Sequence, residues 1–224
     1  MSRDGLMLVP LVLAVIMLVG CKEPVGLPND KAHTATSQTI YCYPWNRLQD
    51  KWTGHIDAYS GYMKIDSSFD SITPTIRWGE YQYQNRPWPR RIGYVIFRVP
   101  AFDASQGVPA CTLYYYQSAH SGYPNLEVRW FAPNPASPPR ESTFYQAWDS
   151  DVIMATDNTH NQAGWYKVAL TSAGMNKVVD AGSGQQDCQL WTGWVYPNTC
   201  TSDIWTEAYG CTSGYEPYIK VVTQ

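Results

Sequence analysis

Apolar and polar residues alternate along much of the chain after residue 40, with the two-residue period of strands that bury one face. The clearest segment is 91–99, where Val95, Phe97 and Val99 share one face and Tyr94 lies on the other. We expect the face of Val95 to point into the core.

Other segments repeat this alternation and predict further strands at 74–83, 111–117, 126–132, 142–147, 151–155, 164–170, 187–195 and 217–223. Turns rich in Gly, Pro and Asn separate them, and only 171–180 is typical of a short helix. About nine short strands without alternating helices predict an all-β fold, an antiparallel β-sandwich of the jelly-roll kind.

The start of the chain has a different pattern, because residues 5–20 are apolar and carry no charge. This run is shorter than the roughly 20 residues that cross a bilayer, and Pro10 would weaken a spanning helix. It fits the apolar part of a secretory signal peptide, which ends in small residues before a cleavage site.

The apolar run ends in Leu18, Val19, Gly20 and Cys21, which resembles the lipobox of bacterial lipoproteins. The resemblance implies diacylglycerol on the Cys21 thiol, cleavage before Cys21 and acylation of the new amine, so that membrane lipid is a partner. Because Lys22 follows, rather than aspartate, the outer membrane or cell surface is favoured. The alternatives are an ordinary signal peptide with a chance cysteine, and an uncleaved anchor.

These patterns divide the chain into three parts. They are a signal peptide over 1–20, a lipidated N terminus and flexible tether over 21–40, and a single β-sandwich domain over 41–224. The tether contains Pro, Asn, Thr and Ser without an apolar period, and flexible chain of that length spans roughly 25 Å.

The composition supports an extracytoplasmic β-protein. Charged residues make up 16% of the chain, below the usual quarter, whereas aromatic residues reach 14%, with 17 Tyr and 10 Trp. The net charge is only −3 and no basic stripe is visible, so we expect no nucleic-acid partner.

Besides Cys21 the chain has five cysteines, which are expected to pair in an oxidising compartment: Cys42, Cys111, Cys188, Cys200 and Cys211. We expect Cys42 to pair with Cys111, and one further bridge among the last three. Since five is odd, at least one cysteine stays unpaired or pairs elsewhere. A zinc site is the competing interpretation, but no two cysteines are two to four residues apart.

The sequence has no Gly-x-Ser-x-Gly elbow, no His-Glu-x-x-His motif, no phosphate-binding glycine loop and no dinucleotide-binding fingerprint. A pair of acids could hydrolyse a glycosidic bond, but the sequence singles out no pair, so a non-enzyme is favoured. No cofactor is required. Asp149, Asp151 and Asp157 could bind a structural calcium with their oxygen atoms, although such residues are also ordinary turn formers.

Three segments, at 93–100, 111–116 and 214–222, resemble in apolar pattern and order the jelly-roll, carbohydrate-binding-module-like domains of bacterial surface proteins. The resemblance implies a sandwich with a sugar-binding face and often a structural calcium.

The aromatic residues themselves suggest where a sugar would bind. If Val95 points inward, Tyr94, Tyr114 and Tyr116 lie on outer faces and could stack on a pyranose. Arg98 and Arg129 would be the polar partners on those faces. Trp88, on a loop between two prolines, is a further candidate for stacking.

The same residues also pair well across strands without any ligand. A glycan-binding module is therefore the first hypothesis, an envelope lipoprotein that binds another protein the second, and a glycan hydrolase the third.

Overall fold

The structure is a computed structural model that describes residues 37–45, 53–59, 62–65, 75–80, 90–105, 107–108, 110–122, 124–132, 146–198, 203–211 and 214–224. One helix, α1 (Ser172–Gly182), lies between β9 and β10. The strands are β1 (Gln38–Cys42), β2 (Thr53–Tyr59), β3 (Tyr62–Ile65), β4 (Thr75–Glu80), β5 (Arg90–Val99), β6 (Ala110–Ser121), β7 (Leu126–Trp130), β8 (Ile153–Asp157), β9 (Gly164–Ala169), β10 (Cys188–Val195), β11 (Ile204–Tyr209) and β12 (Tyr218–Thr223).

The strands form one antiparallel sheet with the hydrogen-bonded order β1-β12-β6-β11-β4-β5-β10-β7-β8. Three strands lie beside this path, with β9 paired to β6, β2 to β5 and β3 to β2. The first and last strands are neighbours, since Ile40 of β1 lies opposite Val221 of β12.

The sheet curls so that its two halves face each other. Three strands, β11, β4 and β5, separate β6 from β10 in the hydrogen-bonded order. The rings of Tyr115 on β6 and Trp194 on β10 nevertheless lie 5.3 Å apart. Neighbouring strands are about 4.8 Å apart, so a flat sheet would hold these rings much farther from each other. The predicted all-β, antiparallel, sandwich-like fold is confirmed.

The main core lies between the two facing halves. Val95, Phe97 and Val99 of β5 are completely buried there, as the alternation in 91–99 predicted. From the opposite half, Leu113 and Tyr115 of β6 pack into the same cluster. Because alternate residues of a strand point to opposite faces, Tyr114 and Tyr116 point away from this core.

A second buried cluster covers the other face of β5 and β10. A short helical turn over 146–148 packs there so closely that a Cβ on Gly193 would lie 2.4 Å from the Cβ of Ala147. The cluster consists of Ile92, Tyr94, Ile96, Phe131, Ala147, Trp191 and Val195. Both faces of these two strands are therefore buried, which a period-two pattern alone does not indicate.

The predicted elements match the structure within a few residues at eight strands and the helix. The exception is 142–147, most of which lies outside the described residues and whose last two residues begin the helical turn. The strands β1, β2, β3 and β11 were not predicted. The sheet begins at Gln38, inside the stretch predicted to be tether.

The predicted Cys42–Cys111 disulfide is wrong. Cys42 lies opposite Ile219 and Cys111 opposite Val221, on the two strands that flank β12. Two strand spacings separate them by more than about 9 Å, whereas a disulfide needs Cα atoms about 4.4–6.8 Å apart. Both are buried thiols.

Of the three cysteines in the C-terminal part, Cys188 is an unbridged thiol and Cys200 lies outside the described residues. The hydroxyl of Thr53 donates a hydrogen bond to Cys211 Sγ at 3.4 Å. The signal peptide, Cys21 and most of the tether also lie outside the part that the structure describes. In that part, no helix is both long and apolar enough to cross a membrane.

Candidate functional site

An aromatic surface covers the outer face of the half-sheet formed by β1, β12, β6, β9 and β11. It consists of Tyr41, Tyr43, Tyr114, Tyr116, Trp165, Tyr209, Tyr215 and Tyr218. Seven of the eight rings are tyrosines, and every ring lies within 6.5 Å of at least one other ring of the set.

Strand alternation places these rings outward. On β9, Val168 is buried and Trp165 is exposed, and on β12 the buried Ile219 follows Tyr218. Strand pairing then brings residues together that are far apart in sequence, since Tyr218 lies opposite Tyr114 and Tyr116 lies opposite Trp165.

The rings form one continuous network with two parts. In the first part, Tyr218 stacks on Tyr114 with 4.7 Å between centroids and 10° between planes, and Tyr41 lies 5.8 Å from Tyr218. In the second part, Tyr116 contacts Tyr215 at 4.6 Å. Trp165 joins the parts, because it lies 6.1 Å from Tyr218 and 5.6 Å from Tyr116.

Solvent reaches this surface. The large hydrophobic side chains that are exposed in the described part of the chain are Tyr41 at 46%, Trp165 at 47% and Tyr215 at 40%, and all three belong to it. A contiguous exposed apolar patch is unusual on a soluble domain and often marks an interaction site.

The tyrosine hydroxyls add hydrogen-bonding groups to the flat rings. Partial burial, with further contributions from the phenols of Tyr114, Tyr43 and Tyr41, raises the pKa of Tyr218. The phenol of Tyr218 is therefore neutral at physiological pH and can both donate and accept a hydrogen bond.

A charged group borders the surface on β4 and β11. Arg77 pairs with Glu207, and the hydroxyl of Ser118 lies 3.4 Å from Glu207 Oε1. The carboxylate of Glu207 is thus already neutralised by a guanidinium.

Of the residues predicted to bind a ligand, Tyr114 and Tyr116 lie on the aromatic surface. Tyr94 does not, because it is only 2% exposed and belongs to the second buried cluster. Its predicted role as a stacking platform is wrong, since the helical turn over 146–148 covers that face of the sheet. Trp88 lies outside the described residues.

The two predicted arginine clamps lie on strands of the facing half-sheet and are already paired. Arg98 on β5 forms an ion pair with Asp187. Arg129 on β7 donates to Glu127 Oε2 from Nη2 at 2.7 Å and also to the carbonyl of Trp148. The structure does not bring either arginine to the side of the molecule that carries Tyr114.

The three predicted calcium ligands are not brought together either. Asp149 and Asp151 are exposed, whereas Asp157 is buried and accepts hydrogen bonds from Tyr115 Oη at 2.6 Å and from Thr159. No group of three or more His, Cys, Asp or Glu side chains that could hold a metal occurs in the described ranges.

Asp157 belongs to a polar group inside the sandwich. His160 Nδ1 lies 3.8 Å from Asp157 Oδ2, and the His160 ring lies 5.9 Å from that of Trp78. Around them, several buried polar atoms have no hydrogen-bond partner among the described residues: Trp78 Nε1, both side-chain polar atoms of Gln117, both ring nitrogens of His160, and Thr206 Oγ1.

Sequence reasoning missed six rings of the aromatic surface: Tyr41, Tyr43, Trp165, Tyr209, Tyr215 and Tyr218. The signal was present for Trp165 and Tyr218, since both lie in predicted strands where they alternate with apolar residues. The others lie in strands or loops that the pattern did not identify, and only the pairing of distant strands brings them to Tyr114 and Tyr116.

A scan against protein-family models and a search of the curated proteins both find no match for this chain. Its function must therefore be inferred from the surface itself.

Proposed function

We propose that this protein is a membrane-anchored surface lipoprotein whose β-domain binds carbohydrate through the aromatic surface. The observation that carries the proposal is the continuous network of eight rings, which includes the most exposed large hydrophobic side chains of the described residues.

The chemistry of the rings supports a glycan ligand. Tyrosine and tryptophan rings offer flat apolar faces that stack on the C–H side of a pyranose, while their hydroxyl or indole groups bond its hydroxyls. The two parts of the network, joined at Trp165, offer several such faces to consecutive sugar units. The rings are held by strands and by one another, so binding requires little ordering of the protein.

The anchor is supported by the sequence around Cys21, which resembles a lipobox after an apolar run of signal-peptide length. More than one acyl chain holds a protein stably on a membrane, which a single chain does not. The domain would then present its aromatic surface to polysaccharide outside the cytoplasm.

The test is binding of the full chain, kept in detergent, to a panel of immobilised neutral and acidic polysaccharides. We expect binding to at least one of them. Replacing two exposed rings, by Trp165→Ala with Tyr215→Ala, should lower the affinity about tenfold or more, since truncated aromatic contacts at the centre of an interface each cost about 1–2 kcal/mol.

The matched control is Trp165→Phe, which keeps a ring at that position and should retain most of the affinity. Both variants should unfold near the wild-type temperature, because these side chains are exposed. Failure of the wild-type chain to bind any polysaccharide would contradict the proposal, and recovery of an envelope protein by crosslinking would then favour a protein-binding role.

A further inference from the structure

Two lysines lie among the rings of the aromatic surface. Lys167 on β9 lies opposite Tyr114 of β6. Lys220 on β12 has Tyr41 of β1 on one side and Thr112 of β6 on the other. Both side chains belong to the outer face, because the residues beside them on their strands, Val168 and Val221, are buried.

Neither lysine has a counter-charge among the residues that the structure describes. The ion pairs and cation–π contacts of the described residues are formed by other cations, so both ammonium groups are available to a ligand. Glu207, the carboxylate on the outer face of β11, is already paired with Arg77. The surface thus carries two uncompensated positive charges on a chain whose net charge is −3.

We propose that the glycan bound by this surface is acidic, a polysaccharide with uronic acid units whose carboxylates pair with Lys167 and Lys220 while its rings stack on the tyrosines. This inference rests on the proposed function. An ammonium group donates up to three hydrogen bonds and is attracted to a carboxylate at an exposed site, and this attraction weakens as salt is added.

An anionic lipid headgroup would satisfy the same charges, but the side chains favour a glycan. Surfaces that enter a bilayer insert projecting Trp, Phe and Leu side chains. Here seven of the eight rings are tyrosines, and they pack against one another along the sheet face, as the Tyr114–Tyr218 stack does.

The test compares polysaccharides that differ only in charge. Polygalacturonate, alginate and hyaluronan are each presented to the full chain beside their carboxyl-reduced, neutral forms, and affinities are measured at 50 mM and 500 mM NaCl. We expect at least one acidic form to bind roughly five- to tenfold more tightly than its reduced form at low salt, with most of this difference lost at high salt.

The variant is Lys167→Gln with Lys220→Gln, which should bind the acidic polymer as weakly as wild type binds its reduced form. Lys177→Gln is a control for the loss of a single charge elsewhere, on α1, which packs against β8, β10 and β5, and it should leave the affinity unchanged.

Equal binding of acidic and reduced forms, or a preference for the reduced forms, would overturn the acidic ligand while leaving carbohydrate binding in place. Binding to no polysaccharide would overturn both. In that case, vesicles with and without phosphatidylglycerol would reveal a lipid ligand, if a preference for the anionic vesicles disappeared in the double-lysine variant.

Discussion

Thr192 and Thr206 are both completely buried, but their hydroxyl groups have opposite surroundings. Thr192 Oγ1 donates to the carbonyl of Val95 at 2.8 Å and accepts from Trp194 Nε1 at 3.2 Å. Thr206 Oγ1 has no hydrogen-bond partner among the described residues. A buried hydroxyl without a partner carries a desolvation cost of about 1–3 kcal/mol.

This contrast predicts opposite effects for the same substitution. Thr206→Val keeps the shape and removes the unpartnered hydroxyl, so we expect the free energy of unfolding to rise by about 1 kcal/mol. Thr192→Val removes a bonded hydroxyl and leaves the Val95 carbonyl and the Trp194 indole without it, so the free energy should fall by about 1–3 kcal/mol. Urea unfolding measures both. A loss of stability in Thr206→Val would instead indicate that enclosed water satisfies that hydroxyl.

Asp157 should make the stability of the domain depend on acidity. Burial on its own would raise the pKa of Asp157, but the neighbouring His160 ring and hydrogen bonds from Tyr115 and Thr159 outweigh burial and hold it below the usual range. A carboxyl whose pKa is lower in the folded state stabilises the fold above its unfolded pKa of about 4, and this stabilisation is lost as the pH falls below that value.

Replacing this carboxylate by Asp157→Asn should therefore cost about 2–3 kcal/mol in unfolding free energy at pH 7, and the difference from wild type should shrink between roughly pH 4 and pH 2. Denaturant unfolding at several pH values measures this. A difference that stays constant over that range would mean that the charge of Asp157 contributes nothing to stability.

At the scale of strands, β12 keeps Cys42 and Cys111 apart. Burial, with a further contribution from the Cys111 thiol, raises the pKa of the Cys42 thiol to about 12, and burial raises the pKa of Cys111 to about 11. Since the thiolate is the reactive form, both cysteines should resist alkylation in the folded protein.

We therefore expect iodoacetamide to modify Cys42 and Cys111 only after unfolding, as read from peptide masses without a reductant. Cys188 is the internal control, because it is only half-buried and should react in the folded state. A peptide pair linked through Cys42 and Cys111 would contradict the strand order in which β12 separates them.

Sequence identified strands that carry several large apolar residues, whether these alternate, as in β6 with Leu113 and Tyr115 inside, or fill both faces, as in β10. The strand β11 was missed because Trp205, Glu207 and Tyr209 separate only small or polar inner residues, Thr206 and Ala208. Its inward face is identified by the strands it pairs with, and pairing is not visible in a local pattern.

At the scale of the whole molecule, the same limit of local sequence patterns explains why Tyr94 and Tyr114 were predicted to belong to one site. Tyr94 and Tyr114 both alternate with apolar residues, so the pattern predicts an outward-facing side chain for each of them. The structure separates them, because the turn over 146–148 covers Tyr94, whereas the outer face of β6 stays open beside Trp165 and Tyr218. Which face is covered depends on how distant segments pack, and a period of two residues contains no such information.

Anchoring and binding should be separable in the whole protein. The proposed anchor depends on Cys21, whereas the aromatic surface is built from residues between Tyr41 and Tyr218. Cys21→Ala should therefore abolish acylation and leave both the unfolding temperature and the affinity for polysaccharide per molecule unchanged.

Mass spectrometry of the N-terminal peptide and membrane fractionation test the first part. Wild type should carry fatty acid on a terminal Cys21, and cells making it should retain polysaccharide, because many anchored copies bind one polymer together. Cells making Cys21→Ala should lose this retention although the purified variant still binds. A wild-type chain that keeps residues 1–20, or that begins at Cys21 but carries no fatty acid, would contradict the anchor. Glycan binding would then be judged on its own.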